Sequence, residues 1–407
     1  MASAGVAVAA TEASKDTGTR AISILAAALA LPGVVSTARA EDAPEHGVVS
    51  VKYLSYRDRQ PGLDRIKVQA PSIYALAPLG PRWAIEGSAV ADSVSGASPR
   101  YHSAISSASH MGDERLGAEV KLTRYEARSA YAIGYAGSNE HDYRSNAVSG
   151  EARFASDDNN RTWNIGLGYS RDRVTSVNDP TLQGRKRTIE LVGGVTQAVS
   201  SADLVQLNLT VSRGRCLGDP IDPNPASGAR RPSCYSDPYK VPDLRPHERD
   251  QNILLARWNH HIEGWGSTLR SSYRYYSDSY RIHAHTLGAE WVQPVGAMFT
   301  VTPSLRLYSQ SSAKFYYDPV YDPDNPGYPP GFFTNPPPFA AADQRLSAFG
   351  AVTVGLKLGV RFSPDWSADV KGEVYEQRSN WRVGGPGSPG LDPFKAVFLQ
   401  AGVSRRF

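Results

Sequence analysis

The sequence predicts an all-β fold, a transmembrane antiparallel up-and-down β-barrel of about sixteen strands, with fourteen as the alternative count. Three observations predict it. Apolar and polar residues alternate at period two along most of the chain, with almost no helical periodicity. The connections alternate between tight and long, as they do in membrane barrels. The closing run "KAVFLQAGVSRRF" stays patterned to its terminal aromatic, Phe407.

A soluble sandwich with one buried face would share the dyads. Here, however, the polar faces set Gly beside charged residues, which suits a crowded, wet lumen. Tyr and Trp also gather toward strand ends, as in aromatic girdles. Lipid admits only helices or closed barrels, and the single apolar stretch approaching membrane length lies near the N-terminus.

That stretch is "AISILAAALALPGVVSTARA". Lys15 and Arg20 precede it, Pro32 and Gly33 break it, and Ala38 and Ala40 supply small residues. This is the pattern of a secretory signal over residues 1–40, leaving a barrel over 41–407. A retained anchor would need about 20 apolar residues, more than the run offers. The 407 residues suffice for one large all-β unit or two ordinary domains. A net charge of +4, with both signs spread through the chain, implies no nucleic-acid-binding face.

Individual strands read clearly. "LGAEVKLTRY" sets Leu116, Ala118, Val120 and Leu122 against Gly117, Glu119, Lys121 and Thr123. "TWNIGLGYS" sets Trp163, Ile165, Leu167 and Tyr169 against Thr162, Asn164, Gly166 and Gly168. "LVQLNLTVS" and "VTVGLKLGVRF" repeat the device through Leu207 and Leu209, and through Val354 and Leu356. The segments begin near Val48, Arg65, Arg82, Glu114, Ala130, Ala147, Thr162, Lys186, Asp203, Asn252, Thr268, His283, Met298, Leu346, Trp366 and Phe394. Those around His260 and His283 alternate poorly. "APLGPR", "YEARS", "SDDNNR", "SSAD", "EGWGS", "QPVGA" and "SPDW" are tight and face the periplasm by the rule for such barrels. The stretch around His102, the cysteine loop and the aromatic, Pro-rich run around Phe332 are long and face outward.

Export also makes Cys216 and Cys234 readable as a loop disulfide, closing a segment for a gain of about 3 kcal/mol. A redox or metal pair is the weaker alternative, because redox cysteines usually sit two residues apart.

"DRIKVQAPSIYALAPLGPRW", "ADSVSGASP" and "GSNEHDYRS" resemble the domain-of-unknown-function 3570 family of Gram-negative proteins. The resemblance is strongest from Val51 to Val174 and runs more loosely to the C-terminus. It implies a barrel in the bacterial outer membrane and brings no catalytic residue, cofactor or substrate. On the strand assignment, three distant clusters then converge on the outer rim. Arg57, Arg59, Asp92, Glu140 and Asp142 are expected there, either as a salt-bridged girdle or as a recognition site and entrance filter.

Charges on the presumed inward faces have both signs: Arg65, Lys67, Glu119, Lys121, Glu151, Arg153, Lys357, Arg361, Asp369, Lys371 and Glu373. On the lipid face such residues would cost about 2–4 kcal/mol at midplane. Their mixture predicts a cross-braced lumen or a pore with opposing charged walls.

His283 and His285, with His260 and His261, are weak metal candidates. Asp318, Asp322 and Asp324 have the spacing of a calcium loop but lack its bidentate Glu. His102, Ser103, Ser106, Ser107 and His110 offer hydrolytic residues without a nucleophile elbow, so no enzyme is expected. No cofactor is expected either. The expected partners are outer-membrane lipid, the barrel-assembly machinery reading the C-terminal strand through Phe407, and an envelope partner. Pore or transport function leads, ahead of a scaffold and, last, a hydrolase.

Overall fold

A strand with period-two alternation presents one residue set to each face, and here a single ladder system turns that alternation into an inside and an outside. The computed structural model describes residues 42–97, 110–141, 143–175, 183–217, 234–235, 243–318, 331, 334–335 and 337–407. The signal segment 1–40 lies outside them. In chain order the strands are β1 (Val48–Gln60), β2 (Leu63–Pro78), β3 (Trp83–Ala97), β4 (His110–Glu126), β5 (Ser129–Asn139) and β6 (Tyr143–Ala155). Next come β7 (Arg161–Thr175), β8 (Gln183–Ala198), β9 (Asp203–Leu217), β10 (Asp243–Leu244), β11 (Glu248–Ile262) and β12 (Ser267–Asp278). The last six are β13 (His283–Val295), β14 (Phe299–Gln310), β15 (Ala340–Ala341), β16 (Phe349–Arg361), β17 (Trp366–Arg378) and β18 (Phe394–Arg406).

Sixteen of these form one closed antiparallel barrel, and β10 pairs with β15 outside it. Each barrel strand starts within four residues of a segment predicted from the sequence. Closure runs from Val48 opposite Arg406 to Arg59 opposite Lys395, so β1 and β18 leave no free edge. The ladders skip where proline removes a donor: the β2–β3 register is interrupted at Ala70 and Pro71, and the β13–β14 register opposite Pro303.

Tight turns gather at one end, which is the periplasmic end by the loop-length rule. The turn between β6 and β7 shows how they hold. Asp158 accepts from the Ser156 hydroxyl at 2.5 Å and from the Asn160 backbone N–H at 3.1 Å, while Asn159 takes a φ of 56°. Those donors keep the Asp158 carboxyl down at about 2. The long connections all lie at the opposite, outer end.

Large apolar side chains point outward around the barrel. Ile133 is 67 % exposed, Leu167 56 % and Leu399 54 %. In water each would forgo on the order of 1.5–3 kcal/mol of burial, so the belt they form fits lipid. Six of the seven tryptophans (Trp83, Trp163, Trp258, Trp265, Trp291 and Trp366) sit at the periplasmic end. Arg405, the departure from an otherwise apolar C-terminal pattern, lies over the Trp366 ring at 5.4 Å.

Phe407 extends the seam by exchanging backbone hydrogen bonds with Gly47 at 2.9 and 3.0 Å. A Cβ on Gly47 would stand 2.4 Å from the Phe407 ring, so only glycine lets the ring lie there. Replacing Gly47 by Val should displace that ring and fray the seam. The expected readout is a lower temperature for loss of the compact electrophoretic form, with Gly47→Ala intermediate; unchanged heat resistance in both would contradict it.

Candidate functional site in the barrel lumen

The inward faces build a lumen with two different halves. Toward the periplasm its charges pair along the wall. Tyr74 donates to Glu86 at 3.1 Å, Lys121 pairs with the same carboxylate, and Ser88 donates to Glu119 at 2.9 Å. Beyond the β1–β18 seam Lys357 meets Asp369 at 3.5 Å and Lys371 meets Glu373 at 2.8 Å. Two of these pairs stay wet, Lys121 and Glu86 keeping 20 % and 18 % of their side-chain surface and Lys357 and Asp369 16 % and 17 %, whereas Lys371 and Glu373 keep 8 % and 12 %.

The two walls differ in sign. On β3 and β4, Glu86 and Glu119 face in beside Lys121. On β11, β12 and β14 the inward set is Arg257, Arg270, Arg274 and Arg306, with Glu290 opposite Arg270. Arg257 donates to Gln206 at 3.3 Å and Arg306 to Thr353 at 3.3 Å.

Toward the outer end much of the lumen is dry, although Arg115 and Asp92 keep 24 % and 16 % of their side-chain surface. Asp172 and Lys186, 3.0 Å apart, have no exposed side-chain surface. Ser145 donates to Asp172 at 2.7 Å, and the Lys186 ammonium lies 5.7 and 5.8 Å from the rings of Tyr143 and Tyr235. Arg249 pairs with Asp278 at 3.0 Å under the Tyr280 ring. Asp58 accepts from Tyr56 at 2.6 Å and faces Arg65 at 3.5 Å, whose guanidinium covers Phe394. Around this last group Ile66, Val68, Phe349, Leu391 and Phe398 pack as an apolar cluster inside the barrel.

Outer loop segments continue that dry layer. Tyr280, Ile282, Phe315, Ala341 and Leu346 form a second buried cluster, and Arg245 ties Asp243 to Asp343 at 2.7 Å each. Gln310 donates to the carbonyls of Arg345 and Ser347 at 2.9 and 2.7 Å. Cys216 and Cys234 stand at bonding distance with Cα atoms 5.7 Å apart, which sets Tyr235 against Lys186. The Tyr235 hydroxyl would lie 2.3 Å from a Cβ on Gly214, so the close approach requires glycine there.

Of the lumen charges expected from the sequence, Arg65, Glu119, Lys121, Glu151, Arg153, Lys357, Arg361, Asp369, Lys371 and Glu373 share the inward face. Lys67 does not. The β1–β2 register shifts between Arg57 and Arg59, so Arg65 and Ile66 are both buried while Lys67 stands exposed on the outward face opposite Arg57.

The rim residues do not converge on one site. Asp92 faces in and binds Arg115 at 2.7 Å, whereas Arg57 and Arg59 face out. The inward residues at that height are Tyr56 and Asp58. Glu140 lies in the β5–β6 connection, its backbone N–H donating to Tyr143 at 2.7 Å. Asp142 is outside the described residues.

His283 and His285 also point outward, with Nδ1 held by the hydroxyls of Tyr275 at 2.9 Å and Tyr273 at 2.7 Å. This polar aromatic patch explains the weak alternation there. Asp318 accepts from the Gly390 N–H at 3.0 Å, and burial pushes its carboxyl up. Asp322, Asp324, His102, Ser103, Ser106, Ser107, Phe332 and the side chain of His110 lie outside the described residues. The buried Asp172–Lys186 and Arg249–Asp278 pairs were not singled out in the sequence. The inward parity of Asp172 and Lys186 on neighbouring strands was the available signal.

A closed sixteen-strand barrel, apolar outside and charged inside, has the architecture of a membrane-spanning β-barrel of the outer-membrane type. Residues 103–395 match the family described as Protein of unknown function (DUF3570), and the chain belongs to that family. Of the three sequence blocks quoted above, "GSNEHDYRS" falls inside the matched span and the other two precede it. No curated protein matches in sequence.

Among solved structures, the siderophore receptor PirA from Pseudomonas aeruginosa is similar at 10 % identity and a TM-score of 0.45. That match covers 88 % of this chain and 62 % of the receptor, so the chain spans under two thirds of its length. A bacterial polysaccharide outer membrane secretin matches at 8 % identity and TM-score 0.47, covering 89 % of this chain and 98 % of its own. Pseudomonas aeruginosa OccK2 (OpdF), solved in complex with glucuronate, matches at 11 % identity and TM-score 0.41, covering 89 % and 96 %.

Removing one partner of a dry ion pair strands the other. Lys186→Met should therefore cost about 3–5 kcal/mol, read as a lower urea midpoint of the folded barrel. The double variant Asp172→Leu/Lys186→Met should recover most of that loss. Equal midpoints for wild type and the single variant would show that Asp172 is not held dry.

Proposed function

We propose that this chain is a pore of the bacterial outer membrane, with a wet, charged vestibule open to the periplasm and an outer loop layer that parts for passage. The observation that carries this reading is the contrast in hydration along the lumen. Lys121–Glu86 and Lys357–Asp369 in the periplasmic half retain solvent, while Asp172–Lys186 and Arg249–Asp278 under the outer loops are dry. A lumen built only for stability would have no use for solvated walls of different sign.

The inward arginines of β11, β12 and β14 favour anionic or polar solutes, because lumen arginines select anions. A second reading, a closed scaffold for an envelope partner, is favoured by the apolar packing of Tyr56, Phe349, Phe394 and Phe398 inside the outer half.

Planar-bilayer recording separates the two. The pore reading expects a steady current with anion preference, shifted toward cations by Arg257→Glu/Arg270→Glu. An absence of current, both in the intact chain and after Cys216→Ser/Cys234→Ser loosens the loop layer, would leave the scaffold.

A further inference from the structure

The outer ends of β6, β7, β8 and β9 carry arginines on the outward face, directly opposite one another. Arg144 pairs in register with Arg173, and Arg173 with Arg185. One step nearer the membrane centre, Arg171 lies opposite Arg187, and Arg187 opposite Arg215. Arg213 stands opposite Ile189. All seven side chains are exposed.

Like charges placed directly across a ladder are destabilising. The inward Asp172–Lys186 pair on the same strands is already neutral and dry, and Arg144 donates to Asn139 at 3.1 Å. Asp250 stands opposite Arg213, and Glu248 meets Arg215 at 3.1 Å, at the far border of the patch.

The opposite side of the barrel is built differently. There Lys395 and Arg378 share Glu376, and Arg59 is in register with Asp64. The basic surface is thus one-sided. It begins where the lipid-facing belt ends: Val148, Tyr169, Ile189 and Leu191 are the outward residues immediately below.

The geometry points to a binding surface for the phosphorylated headgroups of outer-leaflet lipid. Guanidinium forks match phosphate oxygens in pairs, and rows of them just above an apolar belt meet the headgroup while the belt meets its acyl chains. This rests on the chain being an outer-membrane barrel, and is independent of whether its lumen conducts.

The test uses the full barrel folded in neutral detergent, titrated with diphosphoryl lipid A and followed by native mass spectrometry and thermal unfolding. A basic side chain at an anionic lipid surface contributes about fivefold in affinity. Arg171→Gln/Arg185→Gln/Arg187→Gln/Arg213→Gln should therefore weaken binding by more than about tenfold. Without lipid the same variant should melt at or above the wild-type temperature, because repulsion has been removed. Arg57→Gln/Arg59→Gln on the balanced side should leave affinity unchanged, dephosphorylated lipid A should bind wild type weakly, and millimolar pyrophosphate should not displace the lipid. Wild-type affinity in the quadruple variant, equal binding of the dephosphorylated lipid, or failure of the quadruple variant to fold would overturn the proposal. Displacement by pyrophosphate would assign the surface to a soluble anion instead.

Discussion

A backbone in hydrocarbon can satisfy its N–H and C=O groups only against itself, and every other feature of this chain follows from that constraint. Sixteen antiparallel strands meet it by closing into a ring, with β18 returning to β1 over twelve registered pairs. Once the ring is closed, the period of two assigns each side chain to lipid or to lumen. Leucine and isoleucine take the outside, and charge takes the inside.

Inside, the lumen resolves a conflict between charge and dryness in two ways. Where water reaches, as at Lys121–Glu86 and Lys357–Asp369, neighbouring-strand pairs suffice and desolvation costs little. Under the outer loops, Lys186 and Arg249 are stripped of water and enclosed by tyrosine rings as well as carboxylates. Such dry pairs contribute little net stability, but they fix where Tyr235 and Tyr280 sit, and with them the loop layer.

Much of this was legible in the sequence because the dyads are strong. The barrel strands could be read from alternation and turn spacing, and the end at which long loops lie from connection lengths. Most of the lumen charges picked out do face inward, but the arginines of β11, β12 and β14 and the dry Asp172–Lys186 pair were missed. Lys67 could not, because a register shift between Arg57 and Arg59 reverses the parity that a straight strand would have. The rim cluster was misjudged for a related reason: Arg57 and Asp92 lie near the same end, yet opposite parities send them to opposite faces. The role of Tyr235 was invisible, since it depends on the close approach of Cys216 and Cys234 and on the missing side chain at Gly214.

The central claim is that one ladder system separates lipid from water residue by residue. Single fluorophores placed in turn at Trp163 through Ser170 on β7, in vesicles containing brominated lipid, test it most directly. The account predicts strong quenching at Trp163, Ile165, Leu167 and Tyr169, and weak quenching with access to a water-soluble quencher at Asn164, Gly166, Gly168 and Ser170. Uniform quenching along the strand, or the reverse alternation, would contradict it.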